Sequence, residues 1–307
     1  MNNIKFSILI PAYKASFLKD AIDSVLNQSY ENLELIILDD CSPEGVASIV
    51  NSFDDKRLFF YSNKTNCGAK NLVSNWNKCL DYSSGDYVIC MGDDDLLSPD
   101  CLELYYNRIF ASPHINVFHM QTLLIDENNN IICAQESRPE WESTYSALYY
   151  KLKGRLQYIG DWLFKREALI ASGGFFNLPY AWFSDDITPL IVGDGGGIIN
   201  INEFGFRYRV SSMTISSSTN TLGKLAACDQ AFRWCSDYLN KKCNDDRDNI
   251  YRSLSKVELP RVRKKIMEEI LSGELKKSRF LNTLKWFVNK EGYTYSMIIR
   301  SLVRSFR

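Results

Sequence analysis

Short apolar runs alternate with segments of helical period through the first third of the chain. Residues 6–10, 33–38, 58–61 and 87–91 have strand character, while residues 17–28 place Leu18, Ala21, Ile22, Val25 and Leu26 at helical spacing. Residues 46–53 and 69–82 predict two further helices, the second closed by Ser84-Gly85. Strands and helices alternating in this way predict an α/β fold with a mostly parallel central sheet flanked by helices. Ligands bind such sheets beyond the carboxyl ends of the strands.

Past Pro99 the pattern loosens. Residues 100–110 predict a helix, residues 117–125 and 131–134 a hairpin around Asn128-Asn129-Asn130, and residues 136–158 show no clean period. Residues 161–165, 198–201 and 204–210 read as strands, with a short helix over 167–171. The glycine run of residues 193–197 lacks the GxGxxG spacing and reads as a turn. Residues 222–240, 248–272, 278–289 and 294–306 predict helices, so a body of residues 1–220 is followed by a helical C-terminal extension of residues 221–307.

Polar residues gather where strands end. Three ends carry Pro11-Ala12-Tyr13, Asp39-Asp40 and Asp93-Asp94-Asp95. Adjacent carboxylates repel, and burying one without a partner is costly. A hard cation, Mg²⁺ or Mn²⁺, relieves that cost and takes one or two carboxylates together with phosphate oxygens. Taken alone, the triplet also reads as an acidic surface turn, Tyr13 as a core-edge aromatic, and Asp39 or Asp40 as a helix N-cap.

Composition narrows the classes. The 307 residues are 45% apolar and 24% charged, which suits a globular protein with an ample core. A net charge of −1 conceals an uneven distribution: residues 241–307 hold 17 Lys and Arg against 8 Asp and Glu, so the extension is basic and the body acidic. The last segment, with Arg300 and Arg304 among apolar residues, reads either as a membrane-surface helix or as one packed on protein. Nine cysteines without CxxC or zinc spacing read as reduced thiols of a cytoplasmic protein. His114 and His119 are the two histidines, which argues against His-rich metal chemistry. No cleavable leader and no apolar run of about 18 residues is expected.

The acid clusters stand in an ordered set with Gln28-Ser29-Tyr30, Asn66-Cys67-Gly68, Asn75-Trp76-Asn77 and Gly85-Asp86-Tyr87. Over residues 5–215, and most strongly over 5–100, this set resembles the inverting, nucleotide-sugar-dependent glycosyltransferases of family 2, which have the GT-A (Rossmann-like) fold. The resemblance implies a nucleotide-binding half, residues 1–100, and an acceptor half, residues 101–220. It implies that Tyr13 packs on the base, that Pro11 and Ala12 line its pocket, and that Asp40 accepts from N3–H if the base is uracil. Asp94, with Asp95, would ligate Mn²⁺ or Mg²⁺ at the donor diphosphate, while Asp93 and Asp95 orient donor hydroxyls, the ribose or metal-bound water. Asp185-Asp186 resembles the family's acid pair ahead of a short helix, which implies Asp186 as general base and Asp185 as its neighbour. Taken alone, that pair reads as charges favouring a helix N-terminus. Trp182 is suited to stack on an acceptor sugar, or to fill core.

Two departures stand out. The family often shows Tyr-Arg-x-His after the base, whereas this chain reads Tyr208-Arg209-Val210-Ser211, which leaves a diphosphate contact to Arg207 or Arg209. The processive Gln-x-x-Arg-Trp motif is absent, implying one sugar per encounter. The expected reaction moves a hexose or N-acetylhexosamine from a UDP-sugar to a saccharide or lipid-linked saccharide in surface-polysaccharide assembly of the O-antigen or capsule type. The expected place is the cytoplasm, with peripheral contact to the inner membrane through the basic helices and no nucleic-acid partner. A sugar nucleotidyltransferase and an inactive nucleotide-sugar binder are the competing readings. The former usually carries a glycine-rich basic loop where this chain has Pro11-Ala12-Tyr13-Lys14-Ala15-Ser16.

Overall fold

The computed structural model describes residues 4–211, 221–275 and 294–305. The helix expected over residues 278–289 lies outside them. The chain forms two compact units, Met1–Ser217 and Ser218–Arg307.

In the first unit the N-terminal alternation becomes β1 (Phe6–Ala12), β2 (Leu33–Asp39), β3 (Leu58–Ser62) and β4 (Tyr87–Cys90), parallel strands in the order β3-β2-β1-β4. The helices α1 (Leu18–Leu26), α2 (Val46–Val50) and α3 (Leu72–Tyr82) connect them. Helix α1 buries Leu18, Ala21, Ile22 and Val25 in one core with Phe6, Ile8, Ile10, Leu35 and Ile37. Each of these side chains larger than Ala21 contributes about 1.5–3 kcal/mol on burial.

A polar knot registers these strands at their N-terminal ends. The Glu34 carboxylate accepts from Lys5 Nζ at 2.5 Å, Ser7 Oγ at 2.6 Å, and Ser84 N and Oγ at 2.6 and 2.7 Å. Gly85 lies against it: a Cβ there would stand 2.6 Å from Ser7 Oγ and 2.7 Å from the Lys5 carbonyl oxygen, so a side chain is excluded.

Beyond β4 the sheet continues through β9 (Trp162–Lys165), β6 (Val117–Ile125), β10 (Ile198–Arg209) and the two-residue β5 (Leu96–Leu97). Strand β9 runs antiparallel to both β4 and β6, and β5 antiparallel to β10, so reversed strands enter an otherwise parallel sheet. The expected hairpin forms from β6 and β7 (Ile131–Ala134). The two strands expected over 198–201 and 204–210 are one strand, irregular in register at Ile201–Phe204 and Phe204–Phe206. The aperiodic stretch 136–158 holds β8 (Trp141–Glu142) and α5 (Thr144–Leu152), whose N-cap Ser143 accepts from Ser146 N at 3.1 Å. Helices α4 (Cys101–Ala111), α6 (Arg166–Ala171) and α7 (Ser184–Val192) complete the unit's α-helices among the described residues.

The second unit contains α8 (Thr221–Asn240), α9 (Asp246–Leu275) and α10 (Tyr295–Ser305), with Leu225, Leu271 and Ile298 in its core. Helix α10 docks on α9: Ser301 Oγ donates to the Glu268 carbonyl at 3.2 Å, and Arg300 Nε lies 3.1 Å from Glu268 Oε1. Ile299 and Val303 remain exposed. No described helix is long and apolar enough to cross a membrane.

Candidate active site

The three acids after β4 are in three different situations. Asp93 is buried, and its Oδ2 accepts the backbone N–H of Tyr13 and of Lys14, both at 2.7 Å. Burial outweighs those bonds and pushes its pKa up to about 6. Asp95 is buried too; its Oδ1 accepts from Arg209 N at 3.0 Å and its Oδ2 from Gly92 N at 3.1 Å. Burial, then the charge of Asp94, raises its pKa. The Asp94 carboxylate accepts no hydrogen bond from another described residue, and its nearest cation is Lys14 Nζ, 3.8 Å from Oδ2. Burial raises its pKa as well, against Lys14 and Arg209. Two acids are therefore spent on backbone amides, and one is open.

Strand β10 supplies the wall behind them, because it pairs with β5 directly after the triplet. Arg209 is fully buried; Nε donates to the Asp94 carbonyl at 2.7 Å, Nη1 to the Asp126 carbonyl at 2.9 Å, and the guanidinium lies 4.2 Å from the Phe17 ring centroid. With no exposed surface, this side chain braces the backbone of the triplet. Arg207 is half-buried one register step away from the triplet's flank, opposite Leu96.

At the end of β2 the two acids also part. Asp39 Oδ1 accepts from Ser42 N at 2.8 Å, a local turn in which Cys41 takes a left-handed φ of 55°. Ser42 Oγ in turn donates to the Tyr13 carbonyl at 2.5 Å. The N-cap of α2 is Gly45, so neither acid caps that helix. Asp40 Oδ1 accepts from Asn63 Nδ2 at 2.8 Å and from Cys67 N at 2.9 Å, leaving Oδ2 without a partner among the described residues. Lys78 Nζ donates to Asn63 Oδ1 at 2.9 Å, which orients that amide. Pro11 and Ala12 lie in register with Leu38 and Asp39, and Tyr13 beside them is 41% exposed.

Asp185 and Asp186 lie in the first turn of α7. The chain reaches them through three residues at left-handed φ, Tyr180 (61°), Ala181 (54°) and Phe183 (71°). Such residues cost roughly 1–3 kcal/mol each and concentrate at functional sites. Asp186 Oδ1 lies 2.7 Å from Lys151 Nζ and accepts from Gln157 Nε2 at 3.0 Å, while Oδ2 has no partner among the described residues. Burial, then the charge of Asp186, raises the pKa of Asp185. Burial opposes the Lys151 charge, but Asp186 and Asp185 outweigh it and raise its pKa. Trp182 meets Phe183 edge-on, with centroids 6.2 Å apart.

One contact links the two acid groups. Tyr158 stacks on Tyr208 at 3.8 Å and 14°; Tyr158 follows Gln157, and Tyr208 precedes Arg209. Among the described residues no three His, Cys, Asp or Glu side chains form a metal cage. A hard cation that takes one open carboxylate, and completes its shell from phosphate and water, fits Asp94.

Residues 7–171 match the family described as Glycosyl transferase family 2. The chain belongs to that family. A putative glycosyltransferase, EpsE of Bacillus subtilis, is 34% identical over 40% of this chain and 45% of its own length, so the match spans about half of that relative. The UDP-Glc:alpha-D-GlcNAc-diphosphoundecaprenol beta-1,3-glucosyltransferase WfgD of Escherichia coli is 30% identical over 71% of this chain and 82% of its own. Among solved structures, S. aureus TarS 1-349 in complex with UDP-GlcNAc superposes with a TM-score of 0.66 at 14% identity, covering 97% of this chain and 80% of that one. The mannosyltransferase PcManGT from Pyrobaculum calidifontis, in complex with GDP-Man and Mn²⁺, gives 0.59 at 15% identity, covering 98% and 86%. This family 2 glycosyltransferase has the GT-A fold.

Several residues around the site carried no signal in the sequence. Asn63 braces Asp40 together with Cys67 of the Asn66-Cys67-Gly68 motif, and Lys151 and Gln157 hold Asp186. The last two lie in the stretch where no period was readable. Lys14 was adjacent to a motif, and only its charge distinguished it.

Proposed function

We propose that this glycosyltransferase moves a single hexose or N-acetylhexosamine from a UDP-sugar to a lipid-linked saccharide, with inversion, in surface-polysaccharide assembly. The observation that carries this reading is the pair of 2.7 Å bonds from Tyr13 N and Lys14 N to Asp93. They tie the end of β1 to the triplet, so that an exposed aromatic, the open oxygen of Asp40 and the open carboxylate of Asp94 serve one ligand.

In this reading Tyr13 packs on the uracil between Pro11 and Ala12, and Asp40 Oδ2 accepts from its N3–H. Asp94, with Asp95 behind it, would hold Mn²⁺ or Mg²⁺, whose charge offsets that of the departing diphosphate. Asp186 takes the proton of the acceptor hydroxyl at Oδ2. The hydroxyl oxygen bonds to the anomeric carbon, and UDP leaves from the opposite face with the electron pair of the broken C–O bond. Lys151 and Gln157 hold Oδ1 and thereby aim Oδ2. Asp185 shapes the charge around it. The donor and acceptor classes named for the E. coli relative support this assignment, as does the UDP-GlcNAc bound by TarS.

A thermal-shift series with UDP, GDP, CDP and ATP, each with Mn²⁺ and with EDTA, tests it. Metal-dependent stabilisation by UDP is expected. Stabilisation by a triphosphate alone would point to a nucleotidyltransferase, and no response to any of the four would exclude a nucleotide-sugar donor.

A further inference from the structure

A cavity of about 610 Å³ opens between the end of β7 and the C-terminal end of α5. Three cations border it, Arg138, Lys153 and Arg155, and the Arg155 guanidinium lies 4.5 Å from the Tyr150 ring centroid. Arg138 and Arg155 are deeply buried, 5% and 8% exposed. Arg155 is matched, since its Nη1 donates to both oxygens of Glu142 at 2.8 Å. Arg138 is not. Its Nη2 donates to the Leu156 carbonyl at 2.8 Å and its guanidinium lies 5.6 Å from the Trp162 ring centroid, while among the described residues Nε and Nη1 have no hydrogen-bond partner and no carboxylate pairs with it in contact. The cavity's own acid, Glu136, points to solvent and lies 3.7 Å from Arg155 Nε.

The arrangement is held rather than incidental. Asn202 clamps Arg138 at the backbone, accepting from its N–H and donating to its carbonyl, both at 2.9 Å. A cation buried with no carboxylate in contact is costly; burial, helped by the charge of Arg155, pulls the pKa of Arg138 down to about 10 against the more distant charges of Asp161, Glu142 and Glu136. An oxyanion in the cavity relieves that cost, and the guanidinium fork matches phosphate oxygens in pairs.

We propose that this cavity binds a phosphate-bearing group of the acceptor, the diphosphate that joins the saccharide to its lipid. The proposal rests on the transferase reading above. Chain connectivity sets the cavity beside the base. Tyr150 borders the cavity, and Lys151, the next residue, pairs with Asp186. Arg155 borders it too, and Gln157, two residues on, donates to Asp186, a step of at most about 7 Å. An anion in the cavity and a hydroxyl at Asp186 can thus belong to one acceptor molecule.

Calorimetric titration of the full chain, with Mg²⁺ and saturating UDP present to fill the donor site, tests this. Farnesyl diphosphate should bind, farnesol should bind at least about 10-fold more weakly, and Arg138→Gln should weaken farnesyl diphosphate about 10-fold. UDP affinity and the melting temperature of the variant should match the parent. Lys153→Gln, at the rim, should weaken farnesyl diphosphate a few-fold and guards against a folding defect in the first variant. Equal binding by the parent and Arg138→Gln, or displacement of farnesyl diphosphate by UDP, would overturn the site. Inorganic diphosphate binding as tightly as farnesyl diphosphate would keep an anion site and overturn its lipid-linked occupant. Arg138-dependent binding in a chain that transfers no sugar would leave the site standing and sink the transferase reading.

Discussion

Arg209 Nε donates to the carbonyl oxygen of Asp94 at 2.7 Å, across 115 residues of sequence. The end of β10 therefore sets the backbone of the acid triplet while leaving the Asp94 carboxylate open. Arg209→Met keeps the backbone bond to Asp95 and removes the side-chain donors. We expect a loss of about 3 kcal/mol in stability and a weaker metal-dependent increment in UDP affinity. Denaturant titration and UDP titration with and without Mn²⁺ measure both. An unchanged metal increment would end the positioning role.

Asp186→Asn should retain UDP binding and slow transfer by roughly 10²–10⁴-fold. Lys151→Met, which removes the ammonium from Oδ1, should lose less. Near-parental turnover by Asp186→Asn would move the base to another group, with Asp185 the first to examine.

Asp94→Ala removes the open carboxylate and should make UDP affinity the same in Mn²⁺ and in EDTA. Asp93→Asn, by contrast, should chiefly lower stability, because Asp93 is engaged with the Tyr13 and Lys14 amides. A metal response that survives in Asp94→Ala would contradict the ligand assignment.

Glu34 gives a pH signature remote from the site. Burial works against its charge, but hydrogen bonds from Lys5, Ser7 and Ser84 prevail and hold its pKa at about 2, below the usual 4.5. The native state thus binds fewer protons than the unfolded chain between those values. Its stabilisation is full above pH 4.5 and fades as the pH falls towards 2. Glu34→Gln should cost about 2 kcal/mol at pH 7, and the gap to the parent should close over that window. A gap that does not change with pH would mean that packing, not charge, is what the substitution removes.

Helix α10 commits Arg300 to Glu268 and leaves Ile299 and Val303 exposed. If the extension contacts an anionic membrane, Ile299→Asp with Val303→Asp should abolish co-sedimentation with anionic vesicles and leave the melting temperature unchanged. Equal sedimentation of parent and variant would confine α10 to packing.

Much of the scaffold was readable without coordinates. Strands β1, β2 and β4 are buried, so they appear as continuous apolar runs, and α1 shows its core face by its period. The acid clusters were readable for the same reason, since charge directly after a buried strand stands out locally. Tertiary structure decided which acid in each cluster is open. Asp93 and Asp95 are consumed by amides of Tyr13, Lys14, Gly92 and Arg209, Asp39 by its own turn, and among the described residues Asp40, Asp94 and Asp186 keep a free oxygen. Neighbouring aspartates are chemically identical in sequence; only the donors brought to them from as far as 114 residues away tell them apart. Likewise, periodicity records what a strand buries but not beside which strand it lies, so the antiparallel entry of β9 between β4 and β6, and the meeting of Arg138 with Arg155, appear only in the fold.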